Sequence, residues 1–285
     1  MTIRIAIASD LHTELDAGLT RHPLAQSGDA HPRFGPDLKH AVGADLLVLA
    51  GDISHHPGDS IRYAEAAGRY CCCPAVIVPG NHDYYGLDMS RALADLRRAA
   101  AKTGGAVSLL DTDRVDFTFG GRRVAVLGAT LWTDYCLNGA SDAAVADAMR
   151  VAGRSLKDHS QIYIRGNQRF TPEHAREQHQ VARAWFAREL PKARNEADVV
   201  LSVSHHAVIG QEACAVEFRG GVLDPAFASD LRAEIAQWQP DLWISGHTHH
   251  SFDISIGRSR FVSAQRGYVG VEPGAEDFVP LVLEL

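Results

Sequence analysis

Five short runs hold most of the side chains in this chain that could do chemistry: Asp10-Leu11-His12, Gly51-Asp52, Gly80-Asn81-His82-Asp83, His205-His206 and Gly246-His247-Thr248-His249. Carboxylate, amide oxygen and neutral imidazole are the donor types that bind divalent cations of intermediate softness. Imidazole can also move a proton near neutral pH. Asp10, His12, Asp52, Asn81, His205, His247 and His249 together make seven candidate ligands, more than one ion needs. Such a set suits two ions that share a carboxylate, each keeping a position for water or substrate. His82 is a candidate ligand or proton donor, and Asp83 a candidate ligand or orienting partner. Each run alone has a plainer reading, because Asn and Asp favour turns for their own reasons and Asp-x-His can be a turn with a solvated ring.

Each run needs an element to position it, and each follows a short segment that reads as a buried strand: Ile3 to Ala8, Asp45 to Ala50, Ala75 to Val78, Asp198 to Ser204 and Asp241 to Ser245. In open α/β sheets, ligands gather at the carboxyl ends of the strands. Helices are expected over Ile61 to Tyr70, Leu87 to Ala101, Thr171 to about Leu190, and Pro225 or Ala226 to Trp238. Thr171 serves as N-cap and Pro172 as the first helical residue. Arg122 to Gly128 is a further strand. Phe252 to Ile256, Arg260 to Ala264 and Val279 to Leu283 are short strands around glycine turns, expected antiparallel. Residues 13–44 have the composition of a long surface loop, and 130–170 of helical pieces and loops over an edge. No repeat or linker divides the chain, which is expected to form one domain over 1–285 with insertions at about 13–44 and 130–170.

Composition narrows the function. The 285 residues are 46% apolar and 22% charged, ordinary for a globular protein that buries a full core. A net charge of −7 without a basic block disfavours nucleic acid. No window approaches the roughly 20 apolar residues of a membrane span, and Met1-Thr2-Ile3-Arg4 leads straight into a strand, so no signal peptide and a cytoplasmic location are expected. The five cysteines (Cys71, Cys72, Cys73, Cys136, Cys214) have no disulfide-like spacing, which fits a reducing compartment. Adjacent strand side chains point to opposite faces, so Cys71 to Cys73 cannot close one tetrahedral metal site; they are expected as small apolar residues at a strand start. Of the 15 histidines, His55 and His56 lie close enough to Asp52 to reach the rim of a site. His206 and His250 flank the ligand set. His22, His31, His40, His159, His174 and His179 are expected to be solvated.

In order and without omission, the five runs resemble the calcineurin-like metallophosphoesterase superfamily, in particular its small bacterial members. The family's pattern is D-x-H, G-D, G-N-H-[D/E], a lone H, and G-H-x-H, and it spans residues 10–249 here. The resemblance implies a four-layer α/β/β/α sandwich with two mixed β-sheets and the metal site at the strand carboxyl ends. It implies that Asp10, His12 and His249 hold one metal, that Asn81, His205 and His247 hold the other, and that Asp52 bridges them. His82 would be proton donor or phosphate contact, with Asp83 orienting it. The implied activity is hydrolysis of a phosphate mono- or diester of a small phosphorylated substrate by a metal-bridging hydroxide. Two divalent ions are implied: Mn, Fe and Zn head the list, with Co, Ni and Mg also compatible. The alternatives are a nuclease or nucleotide hydrolase on the same site, or a catalytically silent protein-binding scaffold. Arg165, Arg169, Arg219 and Arg266 are candidates for gripping a phosphate or carboxylate.

Overall fold

A computed structural model of the chain describes residues 2–18 and 35–285. The expected loop at 13–44 is therefore seen in part, and His22 and His31 lie outside the described residues. Two sheets lie back to back. The first carries β1 (Arg4–Ala8), β2 (Leu46–Leu49), β3 (Ala75–Ile77), β4 (Val107–Leu109) and β13 (Leu281–Glu284) in the order β13-β1-β2-β3-β4. The second carries β5 (Asp113–Phe119), β6 (Arg122–Ala129), β9 (Val199–Ser204), β10 (Leu242–Ser245), β11 (Phe252–Ile256) and β12 (Ser259–Ser263) in the order β11-β12-β10-β9-β6-β5. Both are mixed: β13 runs antiparallel to β1, and β5 and β11 antiparallel to their neighbours, while the central strands are parallel. β7 (Tyr163–Ile164) and β8 (Gln168–Arg169) form a separate two-stranded ribbon.

Strand alternation assigns the layers. Ile5, Ile7, Leu46, Val48 and Val76 of the first sheet pack against Val124, Val126, Leu201, Val203 and Ile244 of the second, forming the middle of the molecule. Their neighbours Ala6, Ala8, Leu47, Leu49 and Ile77 face outward, onto Ile61 and Ala64 of α1 (Pro57–Cys71) and Leu96 and Ala100 of α2 (Met89–Ala101). Ala125, Leu127, Val200 and Trp243 face the other way, onto Phe186 and Leu190 of α5 (Pro172–Glu196) and Ile235 and Trp238 of α6 (Arg232–Trp238). The result is the expected four-layer α/β/β/α sandwich. α3 (Asp142–Ser155) and α4 (Asp158–Gln161) fall in the expected insertion at 130–170, and its Trp132, Tyr135, Val145 and Phe170 share a separate apolar cluster with Tyr84 and Ala92.

Several local expectations are corrected. Cys71 ends α1, and Cys72 is its exposed left-handed cap at φ 62°, so the triple cysteine closes a helix and β3 starts only at Ala75. α5 runs through Pro191 to Glu196. The hydrogen bond lost to proline is outweighed because Leu190 and Ala193 on either side are fully buried. The helix expected from Pro225 breaks: the N–H groups of Ser229 and Leu231 donate to the carbonyls of Ala207 and Val208, so a 3-10 turn at Asp224–Ala226 precedes an α-helix over Arg232–Trp238 only. β11 and β12 pair antiparallel as expected, but β12 also pairs in parallel with β10, and β13 joins the other sheet, antiparallel to β1. β4 and β5 were not anticipated. His159 and His179 are buried rather than solvated, and their Nδ1 atoms lie 3.2 Å from the carbonyls of Phe170 and Trp132.

Phe186 is fully buried with its ring 5.0 Å from that of Trp243, whose indole N–H donates to Ser204 Oγ at 2.9 Å. Phe186→Ala should cost about 3–5 kcal/mol of stability, measured as a lower urea midpoint at unchanged slope. A midpoint that does not move would mean that α5 is not anchored through this ring.

Candidate metal centre

The parallel strands of both sheets end at one edge, and the seven candidate ligands follow their carboxyl ends. Five of them have left-handed backbones: Asp10 (φ 53°), His12 (φ 44°), Asp52 (φ 54°), His247 (φ 73°) and His249 (φ 51°). Such conformations cost on the order of 1–3 kcal/mol each and persist only where the surroundings enforce them. Here they are held by backbone bonds between the tips. Asp10 N–H donates to Gly51 O at 3.0 Å and His12 N–H to Asp52 O at 3.1 Å. His247 N–H donates to the Asp10 carboxylate at 3.0 Å, and His249 N–H to Gln265 Oε1 at 2.5 Å. Two motif glycines make room for this. A Cβ on Gly80 would lie 2.0 Å from Asp52 Oδ1, and one on Gly51 would lie 2.3 Å from His205 Nδ1.

Hydrogen bonds to the rings assign which nitrogen faces inward. His205 Nδ1 lies 2.8 Å from the carbonyl of Ala50, which can only accept, so Nδ1 carries the hydrogen. His249 Nδ1 donates in the same way to Glu272 Oε1 at 2.7 Å, and His12 Nδ1 to Glu14 Oε1 at 3.3 Å. The Nε2 lone pairs therefore turn inward. His12 Nε2 and His249 Nε2 are 3.2 Å apart, and Asp10 Oδ1 is 3.6 Å from the latter. His205 Nε2 faces Asn81 Oδ1 at 2.9 Å; the Asn81 amide is fixed in that sense because its NH₂ donates to Asp158 Oδ1 at 2.8 Å. His247 Nε2 is buried with no hydrogen-bond partner. Asp52 Oδ2 stands between the two groups, 3.9 Å from His12 Nε2 and 3.4 Å from His205 Nε2.

These donors form two sets, Asp10/His12/His249 and Asp52/His205/His247, each with ligand atoms within 4.8 Å of one another. Buried lone pairs facing lone pairs repel, and an orphaned imidazole nitrogen is costly. A cation reconciles both, so the residues fit a pair of metal ions. The charges respond to the same constraint. Burial alone would lower the basicity of His205, but the facing Asp52 carboxylate reverses this and pushes the ring up to about 9. Burial would likewise raise Asp52, yet His205 and His82 hold it well below the carboxylate range. Burial together with His206 and His205 holds His247 far below the usual imidazole value.

The sequence model of the calcineurin-like phosphoesterase family matches residues 3–251. The chain belongs to that family. It is accordingly a metal-dependent phosphoric ester hydrolase. No curated protein sequence matches it. Among solved structures, the phosphopantetheinyl hydrolase PptH of Mycobacterium tuberculosis superposes with a TM-score of 0.65 at 17% identity, over 95% of this chain and 96% of the other. A dimetal phosphatase from Danio rerio gives 0.49 at 14% identity, over 95% and 89%.

Around the candidate ligands of this phosphoesterase, some expected contacts change. The Asp83 carboxylate accepts from Ser60 Oγ at 2.6 Å and from the Gly80 N–H at 2.8 Å. It ties down the turn rather than orienting His82, and burial raises its pKa to about 7. The ring nitrogen His82 Nδ1 instead meets His55 Nε2 at 2.8 Å, while the ring stacks on Tyr85 at 4.2 Å between centroids. Arg266 is no phosphate grip, because it is buried and forks onto both Asp16 oxygens at 2.8 and 2.9 Å. Arg169 lies over the Tyr163 ring, and the guanidinium of Arg219 donates to Cys214 O at 3.0 Å. His206 is buried behind His247, with ring centroids 4.1 Å apart. Sequence reasoning missed Glu14, Tyr85, Asp158, Glu272 and Gln265; of these, only Glu14 and Tyr85 sit near enough to a motif to have been suspected.

Gly80→Ala should displace Asp52 and leave the fold intact but the metal content reduced, as read by elemental analysis and circular dichroism. Full metal content in that variant would contradict the packing argument. The metal-free chain carries a proton on His205 below about pH 9. Loading metal at a pH of about 7.5 should therefore release protons, seen as binding heats that vary with the ionisation enthalpy of the buffer; heats indifferent to the buffer would contradict the assignment.

Proposed function

We propose that this phosphoesterase hydrolyses a small phosphorylated mono- or diester at a two-cation centre. Asp10, His12 and His249 would hold one cation, Asn81, His205 and His247 the other, and Asp52 both. The observation that carries this reading is the pair of inward-facing lone-pair clusters that meet at the Asp52 carboxylate. Bound there, two divalent cations supply Lewis-acid charge that offsets the anionic ester and acidifies water. Mn, Fe and Zn suit the mixed nitrogen and oxygen set first.

The chain's own residues do the rest. Glu272, Glu14 and the Ala50 carbonyl keep the three rings in one tautomer and aim. His82 turns Nε2 toward the centre, 3.9 Å from Asp52 Oδ2 and 3.4 Å from the Tyr268 hydroxyl. Burial, only partly offset by Asp52, lowers this ring to about 4. At neutral pH it therefore meets substrate as a neutral N–H donor, and an arriving phosphate anion favours its protonation. We assign it the transfer of a proton to the leaving oxygen. The acidic balance of the chain disfavours nucleic acid as substrate. We also read the chain as one domain with insertions at about 13–44 and 130–170. Five free cysteines support a reducing, cytoplasmic setting. Among the described residues no helix is long and apolar enough to cross a membrane.

Metal-stripped protein reconstituted with Mn²⁺ should turn over p-nitrophenyl phosphate or its bis-ester, and the ratio of the two rates gives the ester class. Asp52→Ala should abolish turnover and reduce bound metal. His82→Ala should lower kcat about 10²–10⁴-fold while both cations of the centre stay bound. Loss of those cations in His82→Ala would make the ring a ligand of the centre instead.

A further inference from the structure

On the other edge of the His12 ring, away from His249, lies a second cluster of donors that shares only the His12 ring with the two-cation ligands. His55 Nε2 lies 2.8 Å from His82 Nδ1 and 3.0 Å from Glu14 Oε1, and Glu14 Oε1 lies 3.3 Å from His12 Nδ1. These four side chains offer ligand atoms within 4.8 Å of one another. Glu14 sits in the turn after β1, His55 just past β2, and His82 in the turn after β3, so three separate chain segments converge. We propose that Glu14, His55 and His82 form a third cation site, distinct from the two-cation centre and suited to Zn²⁺.

Three observations carry it. The donor set is His₂Glu, which together with one water closes a tetrahedral zinc shell. Tetrahedral donors about 2.1 Å from zinc lie about 3.4 Å from each other, and the separations of 2.8 and 3.0 Å need little opening to reach that. Hydrogen bonding also leaves the cluster unsatisfied. One N–H on His55 Nε2 cannot align with both a carboxylate and a ring nitrogen, and Glu14 Oε2 is buried with no partner. Finally, the site is reachable: the side chains of His55 and Glu14 retain 37% and 16% exposure, so an ion and its water can enter from solvent.

Occupancy would bind His82 through Nδ1 and commit the ring to a cation. On the proton-transfer role proposed above for Nε2, a third ion slows turnover, so excess zinc acts as an inhibitor. The site itself does not depend on that role.

The test is a count of ions. Equilibrium dialysis of the full chain against rising free Zn²⁺ should give two ions per chain and then a third, and His55→Ala and His55→Leu should each lose the third while retaining two. Retention of two shows that the variants fold. Saturation of the wild type at two overturns the third site alone, and three ions in both variants overturns it too. Saturation below two overturns it together with the two-cation reading. Anomalous scattering at the zinc edge, from wild-type crystals soaked above the third midpoint, locates the ions without any variant. A peak among Glu14, His55 and His82 supports the site, and peaks confined to the Asp52 centre overturn it.

Discussion

Lone pairs that face each other across a buried space repel unless positive charge stands between them, and one edge of this molecule is shaped around such a space. His12, His249 and His205 each give their Nδ1 hydrogen to an oxygen outside the centre, which leaves Nε2 of the neutral ring only as an acceptor. Asn81 is held amide-outward by Asp158, so its oxygen also faces in. Asp10 and Asp52 add buried carboxylates. Few arrangements are as costly without a cation, and in its absence a proton on His205 takes part of that role.

The backbone shares the cost. Left-handed residues at Asp10, His12, Asp52, His247 and His249 are tolerable for Asp and His but not free. Hydrogen bonds between neighbouring strand tips hold them, so each loop's geometry depends on the next. This is why the sandwich matters to the chemistry. Parallel pairing of β1 with β2 and of β2 with β3, and of β9 with β10, brings the tips of both sheets to the same edge. The apolar layer between the sheets keeps the two halves of the centre at fixed separation.

The outer parts contribute orientation. Asp158 comes from the 130–170 segment and accepts from both Asn81 and the Tyr85 hydroxyl, at 2.8 and 2.6 Å. Glu272 and Gln265 come from the chain after the last motif and fix the ring and backbone of His249. Arg266 locks the same stretch to the first turn through Asp16. A buried ion pair of this kind is weak as a source of stability but demanding in geometry, which suits a role in register.

The candidate donors, their order along the chain and the strands that carry them were legible in the sequence, because each strand is a short apolar run and each motif lies directly at its end. Local chemistry was enough for that. The sequence could not say that Asp83 turns to Ser60 and Gly80 while His55 takes its place beside His82, because which side chain meets which ring depends on turns packed from three segments. Nor could it reveal Asp158 or Glu272, which lie far along the chain and follow no spacing rule. The extension of α5 past Pro191 and the break before α6 were decided by burial and by pairing with 207–209, contacts between residues remote in sequence. Residue identity determined what could bind a cation here, and tertiary packing decided which lone pairs face one another.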